Sequence, residues 1–469
     1  MNPYSRLVPR LNGREIEKRS AYYLGLVKKG VAGFIIFGGE LETVRMKLKE
    51  LQAAAHQPLI IASDLEQGLG QQVEGGTIFP PAMAISSALR QVDREKAASI
   101  LKELYTAFAK EARYAGINTI LAPVLDVNTN PENPIIATRA FGEDPATVSF
   151  FGCEMVKVLQ QNGIAACGKH FPGHGDTETD SHISLPVIRK DLASLERNEL
   201  VPFKAAITSG VSMVMLGHLS VPALDSSERP ASLSEKTVTY LRAEMGFSGT
   251  IITDAMNMGG LGRYTEREAS LIALNSGVDI ILHPADPDAI ADYLGGNNCR
   301  PDPLKIAPLH PLLAGATIPP DFVSHRKLSD EFAGMAVTME GRRDVKVQKP
   351  FLIILNDEGV KKGEHLVAAL KRRYVGLEHR QIFPGDDMPR SVIPPEHDLL
   401  VAVFSQVRAW KGQTAEWLRE MIGSLDGKTT VFISFGNPYV LRNVQDTPKI
   451  YAYWDSWSAQ EAVVEKISL

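Results

Sequence analysis

The sequence predicts an α/β fold in which short strands alternate with helices. Its strand candidates are short runs that are nearly continuous in apolar residues and flanked by Gly or Pro, as buried parallel strands are. Amphipathic stretches such as 97–115 and 265–277 lie between them, and this repeated order indicates a parallel sheet. The candidates are 32–37, 59–62, 119–122, 165–167, 212–216, 250–252 and 279–282.

Residues with chemically useful side chains follow the carboxyl ends of these strands. The strands that can be counted, plus one that the sequence does not locate, suit a (β/α)8 TIM-type barrel, in which all strand ends converge on one mouth. In the rival doubly wound sheet the ends spread along a line, and only those near a switch point meet. The barrel is therefore favoured. The strand-end residues are Asp64, Asp126, His170, His218, Asp254 and His283.

A smaller α/β domain is predicted to follow the barrel. Residues 299–320 are rich in Pro, which is typical of a connector. Beyond residue 341 strands are predicted at 351–355, 398–404 and 430–435, and helices at 361–373 and 414–423. The chain is thus divided into a barrel at 1–300, a linker at 301–349 and a C-terminal domain at 350–469.

Composition excludes several classes of function. The net charge is −5, from 55 acidic and 50 basic side chains, so nucleic acid or an anionic membrane is not an expected partner. Cys153, Cys167 and Cys299 form no CxxC pair, which argues against a cysteine-based zinc or redox site. The first residues lack a long apolar run. We expect a soluble cytoplasmic protein that needs no cofactor or metal.

The segment 169–182 concentrates more reactive side chains than any other. It reads Lys-His-Phe-Pro-Gly-His-Gly-Asp-Thr-Glu-Thr-Asp-Ser-His and directly follows a predicted strand. A single loop histidine is usually solvated or capping, but three beside a lysine favour chemistry. A metal site is disfavoured because no His-Glu-x-x-His pattern is present. Asp180 lies two residues before His182, so it can orient that imidazole and make it a general acid/base.

Other strand-end residues suggest further roles. Asp254, in Thr-Asp-Ala-Met-Asn-Met, is a candidate nucleophile, although an N-cap role explains it equally well in isolation. Asp64 could accept sugar hydroxyls, and Asp126 ends the next strand. Arg139 lies in a Pro- and Asn-rich loop and could bind hydroxyl or carbonyl oxygens, or form a surface salt bridge. His218 and His283 are interpreted as supporting residues.

These motifs together resemble glycoside hydrolase family 3, and within it the NagZ-like β-N-acetylglucosaminidases. Segment 169–182 is similar to the Lys-His-Phe-Pro-Gly-His-Gly-Asp-Thr-x-x-Asp-Ser-His signature at every defined position. Segments 253–258 and 133–141 resemble the nucleophile segment and the Asn-Pro-x-Ile-x-x-Arg-x-Phe segment, and the likeness extends over residues 30–284. One departure is clear. The family pattern Asp-x-Glu-Gly-Gly-Arg reads Asp-Leu-Glu-Gln-Gly-Leu at 64–69, with Leu69 in place of Arg.

The resemblance implies a retaining β-N-acetylhexosaminidase that acts on peptidoglycan fragments or chitin oligomers. It implies Asp254 as nucleophile and His182 with Asp180 as acid/base dyad. Three alternatives stay open: a β-glucosidase of the same family, a phosphorylase in which phosphate replaces water because a neutral His does not repel an anion, and a sugar-binding protein without activity, which the altered run at 67–69 suggests. The residues implied to bind the N-acetylglucosamine are Asp64, Asp126, Arg139, Lys169 and His170.

Overall fold

The computed structural model describes residues 2–301, 303, 318–342, 345–386, 396–407 and 416–467. These residues form two compact units. The first comprises 1–78, 93–130 and 140–326, and the second comprises 79–92, 131–139 and 327–469. Two segments of the N-terminal part therefore belong to the second unit.

Parallel strands form the centre of the first unit. A seven-stranded sheet has the order β2-β3-β4-β5-β6-β7-β8, and β1 pairs with β9 in a two-stranded sheet. An isolated parallel bridge joins Ile252 of the last sheet strand to Ile280, directly before β9. The strands are β1 (Leu7–Val8), β2 (Arg10–Asn12), β3 (Gly33–Phe37), β4 (Ile60–Ser63), β5 (Thr119–Ile120), β6 (Ala165–Phe171), β7 (Met213–Leu216), β8 (Thr250–Thr253) and β9 (Ile281–Leu282).

Helices lie between these strands and after the last of them, and local sequence determines where several helices begin. Two of them, α3 (Ala82–Leu89) and most of α11 (Phe322–Ala336), belong to the second unit. Asp93 caps α4 through the N–H of Lys96, and Asp144 caps α5, which has Pro145 in its first turn. Thr265 and Glu268 form a capping box at the start of α9. The helices are α1 (Ser20–Lys29), α2 (Leu41–Ala54), α3 (Ala82–Leu89), α4 (Arg94–Ala115), α5 (Pro145–Gln161), α6 (Leu192–Arg197), α7 (Leu200–Thr208), α8 (Glu235–Thr239), α9 (Glu266–Asn275), α10 (Pro287–Gly296) and α11 (Phe322–Ala336).

One buried apolar cluster contains residues that lie in or next to strands throughout the first unit. Its members alternate along the strands, because successive side chains of a strand point to opposite faces. Burying this cluster ties the strands together and leaves their carboxyl ends as the edge on which polar residues collect. It contains Val8, Ile35, Ile60, Ala62, Leu121, Ala165, Cys167, Met213, Met215, Ile252, Ile280 and Leu282.

The second unit contains a six-stranded sheet of order β10-β15-β14-β13-β11-β12, in which only the β10–β15 pair is antiparallel. Alternate residues of β11 enter two cores: Leu352 and Ile354 pack with α12 and α14, and Ile353 packs with α13. The elements are β10 (Thr338–Glu340), β11 (Pro350–Asn356), α12 (Glu364–Arg373), β12 (Glu378–Ile382), β13 (Asp398–Ser405), α13 (Glu416–Leu425), β14 (Thr429–Gly436), β15 (Lys449–Tyr451) and α14 (Trp457–Ile467).

The α/β class and parallel strands agree with the sequence prediction. The sequence prediction did not locate two strands, β1 and β2, which are very short; β2 also contains the polar residues Arg10 and Asn12. Part of the predicted linker 301–349 is regular structure, since α11 and β10 lie within it. Among the described residues no helix combines the length and the apolar character needed to cross a bilayer.

Candidate active site

Lys169, near the end of β6, is held by two acids from the loop after β4. Its Nζ lies 2.8 Å from Asp64 Oδ1 and 2.7 Å from Glu66 Oε1. The lysine side chain is only 2% exposed, whereas that of Asp64 is 29% exposed. A buried ammonium needs such partners to offset its desolvation. The arrangement presents Asp64 toward solvent with its position determined by the lysine.

Asp126 is fully buried and orients His170. One carboxylate oxygen accepts the backbone N–H of His170 at 3.1 Å and that of His174 at 2.7 Å, and the other lies 2.7 Å from His170 Nδ1. Burial acts to raise the pKa of Asp126, but the interactions with His170 and His174 outweigh it and lower the pKa. The ionised carboxylate therefore keeps the proton of His170 on Nδ1 and directs Nε2 away.

His174 is buried and neutral. Burial, followed by the nearby His170, lowers its pKa to about 4. Its Nδ1 lies 2.7 Å from Thr177 Oγ1 and its Nε2 lies 2.9 Å from Ser181 Oγ. Because the Thr177 hydroxyl donates to the His174 carbonyl at 3.0 Å, Nδ1 is the nitrogen that carries the proton. His174 thus joins the two ends of the loop 174–181.

His182 and Asp180 form the contact that their spacing predicts. Asp180 Oδ1 accepts the backbone N–H of His182 at 2.8 Å and lies 2.8 Å from His182 Nδ1. The Asp180 side chain is completely buried, and the imidazole is 22% exposed. A buried carboxylate on Nδ1 selects one tautomer and directs Nε2 outward, toward a group that could exchange a proton.

Asp254 follows β8 and is 9% exposed. Its Oδ1 accepts the N–H of Ala255 at 2.8 Å, and its own N–H donates to Leu216 O of β7 at 2.9 Å. Burial acts to raise the pKa of Asp254, yet His170, His218, Ala255 N–H and His182 together lower it. An ionised carboxylate surrounded by imidazoles is suited to nucleophilic attack.

The loop after β8 docks onto the dyad loop. The N–H of Gly259 donates to His182 O at 3.0 Å, and that of Gly260 donates to Ser181 O at 2.8 Å. A Cβ on Gly260 would lie 2.7 Å from His218 Cβ and 2.8 Å from Ser181 O. Glycine is therefore required for this close approach, which joins the segment of Asp254 to that of His182.

The residues that match a known family span most of this unit. The model of the glycosyl hydrolase family 3 N terminal domain matches residues 13–296. The chain belongs to glycosyl hydrolase family 3. The likeness seen in the motifs is thereby confirmed, and the protein is a glycoside hydrolase by family.

Curated relatives are similar to this chain over half of its length or more. The Beta-hexosaminidase A of Pseudoalteromonas piscicida is 35% identical over 54% of this chain, which spans 46% of that relative. The Beta-hexosaminidase of Chromobacterium violaceum is 35% identical over 55% of this chain and 74% of its own length. The Beta-N-acetylglucosaminidase/beta-glucosidase of Cellulomonas fimi is 27% identical over 95% of this chain and 87% of its own length.

Solved family 3 structures are similar as well. A beta-N-acetylglucosaminidase from Paenibacillus has a TM-score of 0.77 at 26% identity, covering 100% of this chain and 96% of its own. NagZ from Neisseria gonorrhoeae has a TM-score of 0.60 at 27% identity, covering 71% of this chain and 98% of its own.

Arg139 is the one predicted site residue that falls in the second unit. It ends the 3-10 turn Ala137–Arg139, which belongs to the second unit. One guanidinium nitrogen donates to Ile135 O at 3.0 Å. The site residues Asp64, Asp126, Lys169, His170, Asp180, His182 and Asp254 all belong to the first unit.

The departure from the family pattern has a structural explanation. Leu69, which replaces the family's arginine, is fully buried and opens the 3-10 turn Leu69–Gln71. The preceding Gly68 has φ 79°, a conformation that favours glycine. Here the position serves the apolar core, so any hydrogen bonds that an arginine would make to a sugar must come from elsewhere.

Three groups make contacts at this site that the sequence motifs did not predict. Glu66 is the second acid on Lys169, His218 donates from Nε2 to Ala255 O at 3.1 Å, and the Gly259–Gly260 pair joins two loops. The adjacent glycines were the available signal, since paired glycines mark close backbone approach. Within the described ranges, no group of three or more His, Cys, Asp or Glu side chains is placed to hold a metal ion.

Proposed function

We propose that the protein is a retaining β-N-acetylhexosaminidase that releases terminal non-reducing N-acetylglucosamine. The observation that carries this proposal is the Asp180–His182 hydrogen bond of 2.8 Å in a loop docked onto the segment of Asp254. This docking places the proposed nucleophile, Asp254, and the proposed proton donor, His182, in the same cluster of loops. The names of the family 3 relatives from Pseudoalteromonas and Chromobacterium support the substrate class.

The proposed reaction has two steps. Asp254 attacks the anomeric carbon while His182 gives its Nε2 proton to the departing glycosidic oxygen, so one C–O bond forms as the other breaks. His182 then removes a proton from water, whose oxygen attacks the same carbon and releases Asp254. Asp180 holds the imidazole orientation throughout and stabilises its protonated form. Retention of configuration follows from the two displacements.

The remaining site residues are assigned to binding the sugar. Asp64 offers a half-buried carboxylate to hydroxyl groups, Lys169 fixes it, and His170 directs Nε2 outward. Asp126 acts through His170, because both of its oxygens are occupied and it is 0% exposed. Arg139 is proposed to contact the same sugar.

We also infer that the strands of the first unit close into a (β/α)8 barrel. The Ile252–Ile280 bridge and the β1–β9 pairing support this closure, since they continue the parallel series beyond β8. Closure would bring all the strand-end residues to one mouth.

Peptidoglycan fragments or chitin oligomers are the proposed substrates, and the cytoplasm is the proposed location. A second candidate reaction is phosphorolysis. In the second step His182 is a neutral imidazole, which repels an anionic acceptor less than a carboxylate would. Phosphate could therefore take the place of water.

Two aryl glycosides test these assignments. The wild-type protein should release the aryl group from an N-acetyl-β-glucosaminide faster than from the matching β-glucoside. Preference for the glucoside would refute the substrate assignment, and no turnover of either would leave a sugar-binding protein. Addition of phosphate distinguishes the reactions: accumulation of N-acetylglucosamine 1-phosphate would replace hydrolase by phosphorylase.

A further inference from the structure

Arg10, the first residue of β2, lies on the face of the parallel sheet that carries the buried apolar cluster of the first unit. It is the register partner of Ile35 in β3, and Ile35 is a buried member of that cluster. Register partners in neighbouring strands point their side chains to the same face. Arg10 is nevertheless exposed, so its guanidinium leaves the apolar layer.

The ring of Phe37 gives the direction in which this guanidinium extends. Phe37 is the last residue of β3, two positions after Ile35, and packs against the same cluster. Arg10 Cζ lies 5.1 Å from the centroid of its ring, within the range of a cation–π contact. Arg10 therefore extends toward the carboxyl ends of the strands. Asp64 lies at this edge too, two residues after Ala62, which pairs with Ile35.

His283 contacts the same ring. It directly follows β9, its N–H donates to Val8 O at 2.8 Å, and its ring centroid lies 5.7 Å from that of Phe37. Its φ of 53° is unusual for a residue other than glycine. Leu282 belongs to the apolar cluster, so a regular strand would point His283 to the opposite face. The left-handed backbone returns the imidazole to Phe37, and such strain concentrates at binding sites.

The guanidinium of Arg10 has unused donors. It forms no hydrogen bond or ion pair with another residue that the structure describes. Burial, followed by the nearby Arg10, lowers the pKa of His283 to about 4, so the imidazole is neutral at pH 7 and does not repel the guanidinium. Lys169, the cation after β6 at the same edge, is already paired with two acids. Leu69 supplies no cation where the family pattern has arginine.

We propose that Arg10 is a further sugar-binding residue, which donates to hydroxyl groups of the non-reducing N-acetylglucosamine that Asp64 also binds. This inference rests on the proposed function. A sugar hydroxyl both donates and accepts, whereas a carboxylate only accepts and a guanidinium only donates. The two side chains therefore complement each other on one sugar ring. Phe37 holds the guanidinium and His283 holds the ring of Phe37, so both are positioning residues.

Paired changes in the protein and in the sugar test the role of Arg10. Loss of a hydrogen bond to a charged group costs about 10- to 100-fold, so Arg10→Met should lower kcat/KM for an aryl N-acetyl-β-glucosaminide by that factor. The 3-deoxy, 4-deoxy and 6-deoxy glycosides show which hydroxyl is bound. One of them should be a poorer substrate than the parent for the wild-type protein, and this penalty should shrink about tenfold or more in Arg10→Met. Equal penalties in the two proteins would overturn the inference.

Arg19→Met is the matched control. Arg19, directly before α1, also lies over an aromatic ring, with its Cζ 4.7 Å from the centroid of Tyr22. Its replacement should leave kcat/KM unchanged. Methionine at position 10 keeps an unbranched side chain over Phe37, and melting temperatures verify that each variant is folded. A folded Arg10→Met protein with the wild-type kcat/KM would also overturn the inference.

Phe37→Leu and His283→Asn test the positioning roles. Asparagine is used because it tolerates a left-handed backbone. Each change should raise KM by about 2- to 10-fold with little effect on kcat, and should add nothing in the Arg10→Met background. Effects that add fully to that of Arg10→Met would show that these rings do not act through Arg10, which would overturn their assignment.

Binding of N-acetylglucosamine, measured by calorimetry, keeps this test apart from the proposed function. A wild-type protein that binds the sugar without hydrolysing any glycoside would refute the proposed activity, and a raised dissociation constant in Arg10→Met would still support the sugar contact. An active wild-type protein with an unchanged Arg10→Met would leave the proposed function standing and overturn this inference. A wild-type protein that binds no N-acetylglucosamine would overturn both.

Discussion

Replacement of His182 by Ala tests the dyad most directly. General acid catalysis contributes a factor of about 10² to 10⁴, and that factor matters only when the departing oxygen needs a proton. We expect a loss of this size in kcat/KM for an alkyl or sugar leaving group, and a much smaller loss for an activated aryl group such as dinitrophenol. The glycosyl–Asp254 ester should then accumulate, because no base activates water. Azide should restore turnover by forming a glycosyl azide.

For the smaller change Asp180→Asn, the expected loss of activity follows from the hydrogen bonds of this carboxylate. Asp180 Oδ1 accepts two hydrogen bonds from His182, both of 2.8 Å, and the side chain is buried. An amide oxygen can still accept both, but it loses the charge. Charge-assisted hydrogen bonds are stronger than neutral ones by roughly 1 kcal/mol. We therefore expect kcat/KM to fall about 5- to 10-fold for each hydrogen bond that strengthens in the transition state.

The measurement is initial rates over a series of aryl N-acetyl-β-glucosaminides of varied leaving-group pKa, with and without azide. His182→Ala should steepen the dependence on leaving-group pKa, and Asp180→Asn should steepen it less. Equal losses across the series together with no azide rescue would refute the acid/base role and would leave His182 as a sugar-binding residue. Glu178 would then be the next candidate in the same loop, because His174 is buried with both ring nitrogens in hydrogen bonds.

Three further predictions concern the groups around the dyad. Asp254→Ala should abolish hydrolysis in a folded protein; an N-cap role would instead cost about 0.5–2 kcal/mol of stability with activity retained, which denaturation and rate assays distinguish. Gly260→Ala should lower kcat and the melting temperature together, because its Cβ would meet His218 Cβ at 2.7 Å; a wild-type rate would show that the loops do not depend on this contact. His174 has a folded pKa of about 4 against 6.5 unfolded, so the unfolded state binds its proton first and stability falls as the pH drops from 6.5 toward 4. The free energy of unfolding should fall by about 3 kcal/mol by linkage. Urea denaturation at pH 7.5 and 4.5 should show a smaller pH effect in His174→Gln than in the wild-type protein. An equal effect in both would contradict the lowered pKa of His174.

The local sequence was sufficient to predict the α/β class and most strand positions. Buried parallel strands consist of consecutive apolar residues, so segments such as 250–252 and 351–355 are visible without any tertiary information. It also predicted the Asp180–His182 contact, because two residues separated by one in a loop can hydrogen-bond whatever surrounds them. The family likeness rested on the same short motifs.

Only the tertiary structure decided which loop residues belong together and which carboxylates are accessible. Asp126 and Asp64 look alike in sequence, as acids after strands, yet one is enclosed by backbone N–H groups and the other is open to solvent. The grouping of Glu132 with Arg419 and Arg442 joins residues that are far apart in the chain, 287 positions in the case of Arg419. Long-range packing sets such contacts, because burial and ion pairing depend on which segments meet in space and not on their order in the chain.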